Sequence, residues 1–133
     1  MILVKTKVGK SSKHGMGLFA DQFIPKGTIT WEYNPLYDSS FTQEEVDKMS
    51  EPAKKQFFHY AYFDKELNKH VLCFDDQRFI NHSASKEDIN ITSTTRRDVA
   101  SRDIQSGEEL LCDYDGFDDA YFGRINLDRS TLV

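Results

Sequence analysis

The chain is 133 residues long, with 17 basic and 22 acidic residues and a net charge of −5; that is chain enough for one domain, and its acidity argues against a general nucleic-acid binder while suiting a basic partner. Aromatic residues make up 13% of it, and because each buried ring covers roughly 150–250 Å² a core can be built on them. No apolar run is long enough to cross a membrane, the opening MILVKTKV is too short and too charged for a signal peptide, and Cys73 and Cys112 lack metal-type spacing, so the sequence predicts a soluble, intracellular protein, cytoplasmic if prokaryotic, without a disulfide framework or zinc cluster.

In ILVKTKV, Val4, Thr6 and Val8 alternate with Lys5 and Lys7, the period of a half-buried strand. GTITWEY repeats it, with Ile29, Trp31 and Tyr33 on one face and Thr28, Thr30 and Glu32 on the other. Between the two lies a turn in which Gly15 and Gly17 flank Met16. FTQEEV predicts a helix from Gln43, with Thr42 as N-cap, Glu45 completing a capping box and Phe41 opposite Val46 as a hydrophobic staple. Pro52 suits the first turn of a second short helix through SEPAKKQFF, whose Phe57 and Phe58 read as core anchors. HYAYFD and HVLCFD read as a hairpin across KELNK, with Tyr60 and Tyr62 sharing one strand face. RRDVASRDI and ELLCDY are extended segments joined by the turn QSGE with Gly107 at its tight position, followed by a short helix at best and a loose end.

The polar residues exclude several chemistries. His14, His59, His70 and His82 have no spacing that puts two on one helix face beside a carboxylate, which argues against a metal site. Ser83 follows His82 directly in sequence and cannot normally use it as the base of a serine hydrolase. GMGLFA has neither the lysine nor the hydroxyl residue of a nucleotide-phosphate loop.

HGMGLFA at 14–20, RFINHSA at 78–84 with Asn90 beyond it, and ASRDIQSGEELLCDY at 100–114 occur in that order across nearly the whole chain. Together they resemble the SET-domain family of protein lysine methyltransferases, in the minimal stand-alone form found in bacteria and viruses. The resemblance implies one domain over 1–133, mostly β with short helices. It is a β-clip-like fold of small curled sheets with a helical insert at about 42–58 and a tail at about 115–133, whose C-terminal segment threads through a loop of the preceding chain.

It also implies transfer of a methyl group from S-adenosylmethionine to a lysine ε-amine, with Tyr114 as the catalytic residue. Lys13, His14, Gly15, Met16, Gly17, Tyr62, Arg78, Asn81, His82, Tyr114 and Phe117 would then border the cofactor. Tyr60, Cys112, Tyr121 and Phe122 would line the substrate channel. Ser83 would satisfy backbone at the threaded crossing. The partner implied is a protein or peptide lysine in a basic segment, with Glu108, Glu109, Asp113, Asp115, Asp118 and Asp119 crowding the channel; neither nucleic acid nor membrane is implied, and a homodimer is left open. The alternative is a catalytically inactive SET module that binds a partner or cofactor without turnover.

Two departures qualify the pattern. After NHS the sequence ASKEDIN lengthens a loop that in the family often continues through Pro-Asn, leaving Asn90 as the matching residue. Two positions before Tyr114 the family often carries Tyr or Phe, and Cys112 has no phenol to hold a water beside the amine. On that reading Cys112 leaves room for di- or trimethyllysine; the alternative is that a neighbouring aromatic, Tyr60 or Tyr62, fills the gap and restores the restriction.

Overall fold

Alternation at the N-terminus survives into the fold: Ile2, Val4, Thr6 and Val8 turn inward while Leu3, Lys5 and Lys7 face solvent. In this computed structural model, which describes residues 1–125, the regular strand β1 (Thr6–Lys10) pairs antiparallel with β2 (Met16–Ala20). Ile2 forms a separate bridge to Trp31, so the predicted first strand is split between two neighbours.

β3 (Ile29–Glu32) joins β9 (Arg97–Ala100) and β8 (Ile91–Ser93) in the order β3-β9-β8. The simple two-face alternation expected for GTITWEY fails here. The register shifts between Ile29 and Trp31, as a bulge does, and Thr30 and Trp31 are consecutively buried.

The helical insert follows the sequence signals. α1 (Gln43–Asp47) starts at Thr42, whose side chain accepts from the Glu45 amide while Glu45 bonds back to the Thr42 amide. α2 (Glu51–Tyr60) has Ser50 as N-cap and Pro52 in its first turn. Val46, Phe57 and Ala61 form one small core with Phe41, Met49, Phe58 and Leu72 around it. That seats the insert on the sheet β4-β6-β5, formed by β4 (Ser39–Phe41), β5 (Tyr62–Asp64) and β6 (Lys69–Leu72). The hairpin β5–β6 is present, but Tyr60 ends a helix rather than sharing a strand face with Tyr62. α2 continues past Phe58 because nothing in FFHY stops it before Ala61, whose amide closes onto Phe57 O at 2.8 Å.

The main core gathers Leu18, Ile24, Ile91, Ile104, Leu110 and Cys112, all essentially inaccessible to solvent. Each such aliphatic side chain contributes about 1.5–3 kcal/mol by leaving water. Ile24 and Ile104 also exchange backbone hydrogen bonds of 2.9 and 2.8 Å, closing the segment before β3 onto the one before β10 (Leu111–Cys112).

A parallel pair, β7 (Asn81–His82) with β10, forms the crossing on which the site is built. On one edge of β10 lie Asn81 and His82, with the Ser83 amide donating to Cys112 O at 3.1 Å. On the other edge Asn90 donates from its backbone to Leu111 O (3.1 Å), accepts from the Leu111 amide at its Oδ1 (2.9 Å), and donates from Nδ2 to Glu109 O (2.8 Å). Residues 81–90 therefore hold 109–112 from both sides. The Ser83 hydroxyl accepts from the Ser85 amide within its own loop, at 3.2 Å. Beyond β10 come a 3₁₀ turn, Tyr114–Gly116, and α3 (Tyr121–Arg124); the rest of the predicted tail, 126–133, lies outside the described residues.

Candidate active site

Tyr114 emerges directly from the crossing. Its amide donates to His82 Nδ1 at 3.1 Å and its hydroxyl to Ile80 O at 2.5 Å. An Nδ1 that accepts an N–H is unprotonated, which assigns the His82 proton to Nε2; Asp113 Oδ1, 3.6 Å from Nδ1, is then a neighbour rather than a hydrogen-bond partner. The Tyr114 ring is clasped by Phe122, stacked with centroids 5.7 Å apart, and by Tyr121, edge-on at 4.8 Å. Burial pushes the Tyr114 phenol well above its ordinary range, so at neutral pH it is a fixed neutral donor and not a base.

Two cavities meet at this residue. The wider, about 260 Å³, runs from His14, Gly15 and Met16 past Asn81 and His82 to Tyr121 and Phe122. The narrower, about 50 Å³, lies between Tyr62, Phe117 and Trp31 on one side and Gln77, Ser93 and Asp98 on the other. Tyr60, Arg78, Ile80, Tyr114 and Tyr121 border both. Tyr121 is held by its own hydroxyl, which donates to His59 O at 2.5 Å, and burial lifts that phenol to about 12.

The wall of the wider cavity is set by Asn81. Its Nδ2 donates to His14 O and Met16 O, both at 2.9 Å, and lies 3.2 Å from Glu109 Oε1. One amide thus fixes the glycine loop to the crossing. Gly15 adopts φ +50°, and a Cβ there would meet nothing within 4 Å: a backbone bend opening onto free space. Gly17 is glycine for a different reason, since a Cβ would stand 2.1 Å from Glu109 Oε1.

Of the predicted cofactor residues, His14, Gly15, Met16, Arg78, Asn81, His82 and Tyr114 border the wider cavity. Tyr62 and Phe117 border the narrow one instead, ring to ring at 5.8 Å, with the Tyr62 hydroxyl donating to Thr95 O at 2.7 Å. Lys13 borders neither cavity; its ammonium meets Asp88 at 2.6 Å. Of the predicted channel residues, Tyr60 and Tyr121 border both cavities, and Phe122 the wider one.

Cys112 must be corrected. It is fully buried, borders neither cavity and packs among Leu18, Ile91 and Leu110, with burial holding its thiol well above the ordinary range. β10 turns that side chain into the core, behind Ser93 on the wall of the narrow cavity, so the thiol does not itself line the channel as the product-state argument requires.

Four of the six acidic residues predicted around the channel are already engaged. Glu108 pairs with Arg102 at 3.0 Å, Asp118 with Arg124 at 2.5 Å and Asp119 with Lys65 at 3.4 Å, while Glu109 is turned toward Asn81.

Sequence reasoning missed Gln77, Ser93 and Asp98. Asp98 sits in TTRRDVAS, where neighbouring charges suggest an exposed strand; parity with Ala100, two positions on, was the available signal, and both are buried.

The SET-domain family model matches residues 15–115. No curated protein sequence matches the chain. Among solved structures, the fold is similar to that of ctPRC2 in an autoinhibited conformation bound to S-adenosylmethionine, with 26% identity, a TM-score of 0.62, and coverage of 86% of this chain but only 16% of that one. A candidate histone methyltransferase of Plasmodium falciparum superposes with a TM-score of 0.60 at 24% identity, over 85% of this chain and 95% of that chain. ATXR5 in complex with a mono-methylated histone gives 0.59 at 20% identity, over 85% and 58%. The family match takes in the glycine loop, the crossing and Tyr114 in a single stretch, and the sheets around them are arranged as in these structures: the chain belongs to the SET-domain family.

Proposed function

We propose that the protein transfers a methyl group from S-adenosylmethionine to the ε-amine of a lysine in a protein substrate. The observation that carries this reading is the meeting of two cavities at Tyr114, one walled by the glycine loop and the crossing, the other narrow and aromatic. A donor and a side-chain acceptor entering from opposite ends would face each other there.

The residues of the wider cavity fit such a donor. Gly15 leaves open space at a backbone bend, Phe122 and Tyr121 offer ring faces, and Asn81 fixes the loop they oppose. When bound, S-adenosylmethionine supplies an electrophilic methyl group on a sulfonium. The chain's own contribution is placement and exclusion of water. The rings of Tyr60, Tyr62, Phe117 and Tyr121 confine a lysine stem and desolvate its end, which favours the neutral amine although free lysine titrates near ~10.4. The Tyr114 hydroxyl, held by Ile80, fixes the direction from which the amine approaches. The net charge of −5 favours a lysine in a basic segment.

Incubation of the protein with methyl-labelled donor and a panel of lysine peptides or cell lysate tests the reading. Label is expected on lysine, dependent on Tyr114. Donor binding measured calorimetrically with no label on any protein would instead identify an inactive module.

A further inference from the structure

Asp98 is 3% exposed and borders the narrow cavity, where it is the only carboxylate among the described residues. Its Oδ2 accepts from Gln77 Nε2 at 2.5 Å, and Ser93 adds a second hydrogen bond. Both partners are neutral. No lysine or arginine among the described residues pairs with it. A buried carboxylate ordinarily has a cationic partner, because neutral hydrogen bonds alone offset only part of its lost hydration. Here the carboxylate faces a cavity instead.

Resting on the methyltransferase reading, we propose that Asp98 is the acceptor for the proton that the substrate lysine ammonium must lose in the narrow cavity before it reacts. One N–H bond of the ammonium breaks and its electron pair stays on nitrogen; one O–H bond forms on the Asp98 carboxylate; a cation and an anion become two neutral groups. The proton returns to solvent when product leaves. The exchange suits the site, since neither charge is well solvated there and both disappear together.

The surroundings favour a carboxylate that can do this. Burial raises the Asp98 carboxyl to about 7, against the opposing effect of Ser93 and Gln77. The other titratable groups on the cavity wall do not compete for the proton near neutrality. Cys73 and Tyr62 are driven upward by burial and stay protonated, as does Tyr114, and burial drives the His59 imidazole downward. Arg78 also borders the cavity, and behind the strand Cys112 stays a thiol. Gln77 is a positioning residue: it fixes the carboxylate and helps keep its affinity for a proton from rising further.

The test is a pH–rate profile of methyl transfer for the parent, Asp98→Asn and Gln77→Leu, read beside donor affinity. The parent rate should fall below a midpoint near pH 7, where Asp98 is protonated and cannot accept. Asp98→Asn should lose that limb, be at least tenfold slower at pH 7.5, and recover at pH 9–10 or with a peptide whose lysine is replaced by the less basic aminoethylcysteine. Gln77→Leu removes a hydrogen bond to the charged form and should move the limb to higher pH, which keeps the proposal falsifiable if Asp98→Asn does not fold. A second readout needs no turnover: with a lysine peptide bound, the Asp98 carboxyl resonance in ¹³C NMR should stay at its protonated position to higher pH than with a norleucine peptide bound, because the carboxyl then holds the lysine's proton; identical titrations with the two peptides count against the transfer. An active parent whose profile is shared by Asp98→Asn, or left in place by Gln77→Leu, overturns this proposal alone. A parent inactive at every pH overturns the functional reading on which it rests.

Discussion

The hydroxyl of Tyr114 donates to the carbonyl of Ile80 at 2.5 Å, so the residue that borders both cavities is anchored to the one immediately before the crossing. A tyrosine placed this way acts through direction and not through basicity, because its phenol stays protonated far above neutral pH.

Tyr114→Phe therefore keeps the ring, its stacking on Phe122 and its edge contact with Tyr121, and loses only the oriented hydroxyl. Donor affinity should change less than threefold and stability by about 1 kcal/mol, the usual net worth of one hydrogen bond. Methyl transfer should fall about 10²-fold, the effect of a small misplacement of reacting groups. Single-turnover kinetics with calorimetric donor binding checks both halves; a variant as fast as the parent removes Tyr114 from the mechanism.

Gly17→Ala puts a Cβ 2.1 Å from Glu109 Oε1 and 2.9 Å from its Cδ. The flexible end of Glu109 can swing aside, giving up its 3.2 Å contact with Asn81 Nδ2. The expected cost is about 1 kcal/mol, with weaker donor binding as the glycine loop loosens. In a Glu109→Ala background the same substitution should cost less, leaving only the 3.1 Å approach to Ser11 Cβ. A double-mutant cycle by urea denaturation measures the coupling, and strictly additive costs would show that Glu109 is not what requires glycine at 17.

Asp98 titrates near 7 in the folded chain and near its ordinary ~3.9 when unfolded. Below pH 4 the carboxyl is protonated in both states and its contribution to stability is fully present. As pH rises from about 4 to 7 the unfolded state ionises first, and stability is lost until the folded group ionises too. Asp98→Asn lacks this loss. The variant should gain on the parent between pH 4 and 7, by up to a few kcal/mol, and hold that gain above pH 8. A gap that stays constant with pH, followed by denaturant titration, would contradict the raised carboxyl.

Cys112→Tyr serves as a control on the corrected reading of that position. The thiol is fully enclosed among Leu18, Ile91 and Leu110, and a phenol has no room there. The variant should lose about 1–3 kcal/mol or more from overpacking, and any surviving enzyme should give the parent's methylation products by mass spectrometry. A well-folded variant shifted to monomethyllysine would return Cys112 to the channel.

Elements governed by local chemistry were legible in the sequence. The Thr42–Glu45 capping box fixes the start of α1, Pro52 and Ser50 open α2, and Gly107 takes φ +95° in the turn QSGE, because each depends on residues within one turn of chain. The crossing was not legible from pattern, since the pairing of Asn90 with Leu111 and of His82 with Cys112 depends on residues far apart in the chain. It came only through resemblance. Direction within a short strand was harder still: in the two-residue β10 there is too little alternation to say that Cys112 faces the core. Asp98 went unread for the opposite reason: parity with Ala100 was present in the sequence, but amid charged neighbours nothing singled it out.

The grip of residues 81–90 on 109–112 also fixes an order of events. Synthesis delivers the glycine loop, the insert and the first half of the crossing long before the strand they must enclose. Until Leu111 is seated between Asn81 and Asn90, neither cavity has its shared wall, because Tyr114 follows only three residues later. Long-range pairing of this kind is slow to form, as loop-closure entropy is lost before any contact offsets it. Methyl-donor binding should therefore be the last property a refolding chain acquires, and the first it gives up when pulled from its C-terminal end.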